Sequence, residues 1–131
     1  MIFNSDWFPK LDKFARFLLG LILVFSGVNY FLGILTWFDM TPDSRLFIGA
    51  LIDTGYFFQL VKFIEIVAGT LFLLNRGVVL AIFIISPGII NIALFHAFLE
   101  PNGRYMAVLL VGLLGIIVAF RKQLLYSILK Q

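Results

Sequence analysis

Lys62 and Glu65 stand three residues apart in LVKFIEIVAGTLFLL, a stretch that is otherwise almost wholly apolar. A basic and an acidic side chain at i and i+3 lie on one face of a helix and can pair. A single unpaired charge near the middle of a bilayer costs about 2.5–3.5 kcal/mol, so pairing removes much of the objection to finding them there. Three uses of the pair are open: an ion pair that locks helix packing, part of a ligand, proton or quinone site, or Lys62 reaching out to headgroups. The other side chains able to do chemistry in apolar surroundings are Asn29, Asn91 and His96, the one histidine. His96 shares a face with Glu100, four residues on. It could serve a functional site or be an interfacial histidine hydrogen-bonded to Glu100 or a loop.

The chain has no cysteine. Disulfides, thiolate metal sites and iron–sulfur clusters are thereby excluded, and a lone histidine excludes bis-His haem and His-rich metal sites within one chain. No intrinsic cofactor or metal site is expected, so a redox role would have to borrow a cofactor, of which a quinone is the plausible one.

The elements that must position these residues are helices. Of the 131 residues, 62% are apolar, 17% aromatic and 13% charged, and the mean hydropathy is +1.07, far from the range of soluble domains. Four apolar runs, at about 14–38, 56–74, 78–99 and 105–120, each approach the roughly 20 residues needed to cross a hydrocarbon core. They are continuously apolar and do not alternate with period two, which excludes a β-barrel. The first is too long for a signal-peptide core and lacks a cleavage site of small residues, so it is read as a retained helix. The expectation is a single all-α domain, an integral membrane four-helix bundle, with no internal repeat or linker.

Basic residues orient it. Lys10, Lys13, Arg16, Arg76, Arg121, Lys122 and Lys130 flank one side, and only Arg45 and Arg104 the other. Both termini are therefore expected in the cytoplasm. These cations suit anionic headgroups and imply no nucleic-acid partner. The opening MIFNSDWFPK, with Trp7 and Phe8, reads as an interface anchor. The long first connection contains Thr41-Pro42-Asp43, a hydroxyl cap, a proline at the first helical position and a carboxylate in the first turn. RLFIGALI is too short to cross, so a short helix is expected on the outer interface, as an anchor or a lid.

Depth follows from the rise of about 1.5 Å per residue. Lys62 and Glu65 fall roughly 9 and 13 Å below the outer boundary, Asn29 and Asn91 roughly 10 and 12 Å, and His96 roughly 5 Å. Three helices thus place polar residues in the outer half, which predicts a polar chamber there. Gly55, Gln59, Lys62, Glu65 and Gly69 share one sector of the second helix, which should face protein. Ser26, Asn29 and Gly33 share one side of the first helix. Gly20 and Gly27 lie nearly opposite and suit close packing. Pro87 should kink the third helix, and Asn91 and His96 differ by about 140° in phase. The fourth helix has no polar side chain between Met106 and Phe120; Gly112, Gly115 and Ala119 offer it a packing surface.

RFLLGLILVFSGVNYFLG, FIEIVAGTLFLL and PGIINIALFHAFLEP, followed by a polar-free fourth helix, resemble the DoxX family of small four-helix bacterial membrane proteins. The resemblance implies a cytoplasmic-membrane bundle of the kind that accompanies quinone-linked oxidoreductases and redox-stress complexes. It would make Arg16, Asn29, Glu65, Asn91 and His96 family-like polar positions, and it does not place Lys62. Two functions then compete: an accessory subunit or scaffold of a larger membrane complex, as a homo-oligomer or with other subunits, and a quinone-linked oxidoreductase subunit holding a quinone headgroup in the chamber. A small solute or proton carrier is a third.

Overall fold

The computed structural model describes residues 7–35 and 40–131, with the side chains of residues 7 and 8 outside that description. The Trp7 and Phe8 anchor and the stretch 36–38 of the expected first helix lie outside it. Six α-helices occur among the described residues: α1 (Trp7–Leu32), α2 (Pro42–Asp53), α3 (Phe57–Leu74), α4 (Val78–Phe98), α5 (Arg104–Ala119) and α6 (Lys122–Leu129), with a 3-10 turn at Pro101–Gly103 between α4 and α5. No strand occurs among them.

Four helices are long and apolar enough to cross a membrane, the spans being Pro9–Leu32, Phe57–Leu74, Val78–Phe98 and Pro101–Ala119. They form a ring in which α1 packs on α3 and α5, and α4 closes the other side against the same two helices. Ala15, Leu19 and Leu23 of α1 meet Ala68 and Phe72 of α3, Ile82, Ile85 and Ile89 of α4, and Leu110, Leu113 and Ile117 of α5 in the core. The outside is as apolar as the inside: Phe98 is 80% exposed and Val108 72%. Such a surface would drive association in water and is suited to lipid. The chain is a multi-pass membrane protein.

The helix ends are written locally. α1 begins seven residues before the expected start and stops at Leu32, six short of the expected end, because Gly33 takes a left-handed conformation (φ +64°) and its N–H bonds the Asn29 carbonyl at 2.7 Å. Hydropathy could not reveal this stop, since the residues after it are also apolar. Between α3 and α4, Asn75 (φ +53°) and Gly77 (φ +61°) both turn left-handed and reverse the chain within three residues. At α2 the expected start holds: the Thr41 side chain accepts from the Ser44 N–H at 3.2 Å, Pro42 follows, and Asp43 lies in the first turn. α6 was not expected; its eight residues follow the fourth span and leave Leu124 and Leu129 exposed.

α1 and α3 approach closely because three glycines lie at their contact, Gly20 against Gly69 and Gly27 against the backbone of Lys62. A Cβ on Gly69 would lie 2.8 Å from the Gly20 carbonyl oxygen, and one on Gly20 2.9 Å from that of Gly69. A Cβ on Gly27 would lie 2.7 Å from the Lys62 carbonyl oxygen and overlap Ile66. The glycine stripe therefore packs on α3, as small residues do where helix backbones touch in lipid.

Candidate functional site

The polar residues divide into separate clusters. In the first, the Lys62 ammonium of α3 donates to the Ser26 hydroxyl of α1 at 2.9 Å and to both Glu65 carboxylate oxygens at 3.2 and 3.3 Å. It also lies 5.2 Å from the Phe58 ring centre. Glu65 is buried, 3% exposed. One helix supplies both charges and the next supplies the hydroxyl, so the cluster bridges α1 to α3 at the level of Gly27. Lys62 is held inward and does not reach for headgroups. Gln59, one turn before Lys62, buries a side-chain oxygen with no hydrogen bond.

Asn29 does not join this cluster. With α1 ending at Leu32, it lies in the last turn, where its Oδ1 accepts from the Leu35 N–H at 2.7 Å and its Nδ2 donates to the Leu35 carbonyl at 3.0 Å. The amide pairs with a backbone unit as another strand would, and fixes the chain leaving the helix. Ser26, one turn deeper, supplies the contact to Lys62.

The second cluster sits where α4 turns into α5. The His96 Nδ1 bonds the Glu100 carbonyl oxygen at 2.9 Å; a carbonyl only accepts, so Nδ1 carries the hydrogen. The Glu100 side chain is wholly buried. It accepts from the Thr41 N–H at 2.8 Å and from Asn102 at 3.3 Å. The Thr41 and Ser44 hydroxyls both reach the Leu99 carbonyl, at 2.7 and 3.0 Å, and Phe47 of α2 stacks near Phe95 of α4, ring centres 5.8 Å apart. A carboxylate at the N-terminus of α2 also suits the helix dipole. Glu100 was expected only as a possible partner of His96; it is the group that straps α2 onto the bundle.

Those hydrogen bonds, first that from the Thr41 backbone, hold the Glu100 carboxyl below its ordinary 4.5. A depressed folded-state pKa contributes stability that is present above 4.5 and is lost as pH falls through the folded value. Glu100→Gln is therefore expected to loosen α2 at neutral pH. The gap between wild-type and variant melting temperatures should close on acidification below 4.5; a gap independent of pH would remove the carboxylate from the strap.

Gly103 covers the His96 ring, and a Cβ there would overlap its Cε1 and Nδ1 atoms. Gly103→Ala should displace the imidazole from the Glu100 carbonyl at a cost of about 1–3 kcal/mol. Nitrogen NMR of the imidazole would show loss of the fixed Nδ1–H form; an unchanged spectrum would contradict it.

Asn91 belongs to neither cluster. α4 continues through Pro87, and Asn91 emerges on the exposed surface, about 140° around the helix from buried His96. Its side chain makes no hydrogen bond among the described residues. The structure thus brings Lys62 and Glu65 together with Ser26, and places Asn29, Asn91 and His96 in three other settings; one chamber does not gather all five. No family model, curated protein or solved structure matches the chain. Among the described residues no three His, Asp or Glu side chains lie close enough to hold a metal ion.

A third cluster lies at the opposite end of the bundle. Asp12 accepts from Arg16 at 3.2 Å and from Arg121 at 2.7 and 3.3 Å, while Arg16 also reaches the Phe72 carbonyl at 3.1 Å. Arg16 and Arg121, expected as flanking charges, tie α1 to the ends of α3 and α5. Asp12 was missed, although its position four residues before Arg16 was a readable signal.

Proposed function

We propose that the chain is a DoxX-like accessory subunit or scaffold of a larger complex in the bacterial inner membrane, with both termini cytoplasmic. The observation that carries this reading is Asn91. It stands seven residues before the end of α4, about 10 Å along the helix and so within the hydrocarbon, exposed and without a hydrogen-bond partner among the described residues. A carboxamide facing lipid tails is unfavourable, and a hydrogen bond across to another helix relieves that. The charged side chains support the same reading from inside: Lys62, paired with Glu65, reaches Ser26 of α1, Arg16 reaches the Phe72 carbonyl of α3, and Arg121 reaches Asp12 of α1, so they are engaged in joining helices. The positive-inside distribution supports the orientation.

The test is native mass spectrometry of gently solubilised protein with extraction of bound small molecules. Wild type should leave the membrane with a partner, another subunit or a second copy. Asn91→Leu should be recovered alone and folded. Identical assemblies from both proteins would defeat the reading, and stoichiometric quinone on a solitary chain would favour the quinone-linked alternative.

A further inference from the structure

Between α4 and α5, on a different side of α4 from Asn91, lies an open groove of ≈ 480 Å³. Its walls are apolar and mostly small, alanines from α4 and Ala107, Gly112 and two valines from α5, with His96 and Arg104 at its upper end. Gly112 has no atom within 4 Å of where a Cβ would stand. Gly112 is eight residues into α5 from Arg104, so the groove descends about 12 Å from the helix start. That is most of one leaflet's share of a hydrocarbon core of about 30 Å.

The two polar residues at the head of this trough have unused capacity. Arg104 is exposed; its guanidinium makes one long contact, Nη2 donating to the Ala97 carbonyl at 3.5 Å, and no carboxylate among the described residues pairs with it. A guanidinium at the rim of an apolar slot attracts an oxyanion attached to an apolar tail. His96 is already committed through Nδ1–H to the Glu100 carbonyl, which leaves Nε2 as the ring atom that can meet a ligand. The complement is one molecule with a phosphate for Arg104, a hydroxyl for His96 and a hydrocarbon chain for the alanine- and glycine-lined trough.

We propose that this groove is a lipid site for a glycerophospholipid with an anionic, hydroxyl-bearing headgroup, with phosphatidylglycerol as the probe. The lipid enters sideways from its own leaflet. The phosphodiester meets Arg104, a headgroup hydroxyl donates to His96 Nε2, and one acyl chain lies along Ala97, Ala93 and Gly112. The site is independent of the Asn91 face.

The test is native mass spectrometry of the full chain from nanodiscs of mixed phosphatidylglycerol and phosphatidylethanolamine, comparing wild type, Arg104→Gln and Gly112→Leu. Wild type should retain one phosphatidylglycerol about tenfold in preference to phosphatidylethanolamine, a difference of about 1.4 kcal/mol. Arg104→Gln should remove the headgroup preference, and Gly112→Leu, whose Cβ meets no protein atom within 4 Å and whose longer side chain occupies the slot, should remove the retained lipid while circular dichroism stays unchanged. Equal retention of the two lipids by wild type, or undiminished phosphatidylglycerol on Arg104→Gln, overturns the proposal. So does a quinone recovered in place of the phospholipid. Arg104 is exposed and outside the core, so its variant tests the site even where Gly112→Leu fails to fold.

Discussion

Glu65→Gln is expected to lower the stability of the bundle by about 3–5 kcal/mol, because it strands the Lys62 charge inside a span. The carboxylate is buried and binds the ammonium through both oxygens, while Ser26 takes a third bond from across the α1–α3 contact. A glutamine of nearly the same shape keeps an acceptor and loses the charge. The double variant Lys62→Met with Glu65→Leu removes both charges together and should cost far less than either single change, since replacing a buried pair by apolar groups is often neutral. Ser26→Ala should cost about 1.5–3 kcal/mol, the range for a hydrogen bond to a charged group. Thermal unfolding in detergent, followed by circular dichroism, reads all three. Silent single variants would mean that the pair does not hold the helices, and would return Lys62 and Glu65 to the ligand and proton readings.

Gly27→Ala should be strongly damaging for a single added methyl group. The added Cβ meets the Lys62 carbonyl oxygen at 2.7 Å and overlaps Ile66, so α1 and α3 must separate, at about 1–3 kcal/mol or more. Separation also lengthens the bond from Lys62 to Ser26, so the loss should exceed that of packing alone. Gly115→Ala on α5 is the matched control. Nothing lies within 4 Å of its new methyl, and the gain in helix propensity should leave the protein unchanged or stabilise it by about 0.5–1 kcal/mol. The same chemical change is thus expected to act with opposite sign at the two sites. Equal melting temperatures for the two variants would show that the α1–α3 contact is looser than described.

The local features were legible because each is decided within a few residues of chain. Four spans follow from continuous apolarity, the start of α2 from Thr41 and Pro42, and the pairing of Lys62 with Glu65 from a spacing of three on one helix. The protein-facing sector of α3 followed from phase for Glu65 and Gly69, which are both buried, but not for Gly55, which is exposed in the turn before the helix. The end of α1 was not legible. In water the loss of apolar periodicity marks the end of a helix, but a chain in lipid stays apolar beyond it, and Gly33 alone among apolar neighbours is a weak sign.

What the sequence by itself determined is therefore a membrane-spanning all-helical chain with a charged pair at a known place on α3. Tertiary structure decided the rest. Depth along a helix can be counted from the sequence, but depth does not say which way a side chain faces once four helices are set in a ring. Asn29, Asn91 and His96 share roughly one level with the ion pair, yet one caps a turn, one is exposed on the outer side of α4 and one underlies the α4–α5 turn. Glu100 shows the same limit from the other side. It reads as a turn residue, and it is buried because α2, 59 positions away at Thr41, closes over it. A hydrophobic pattern records what each helix must hide from water; in lipid neither face need be hidden, so only the packing of the helices assigns partners.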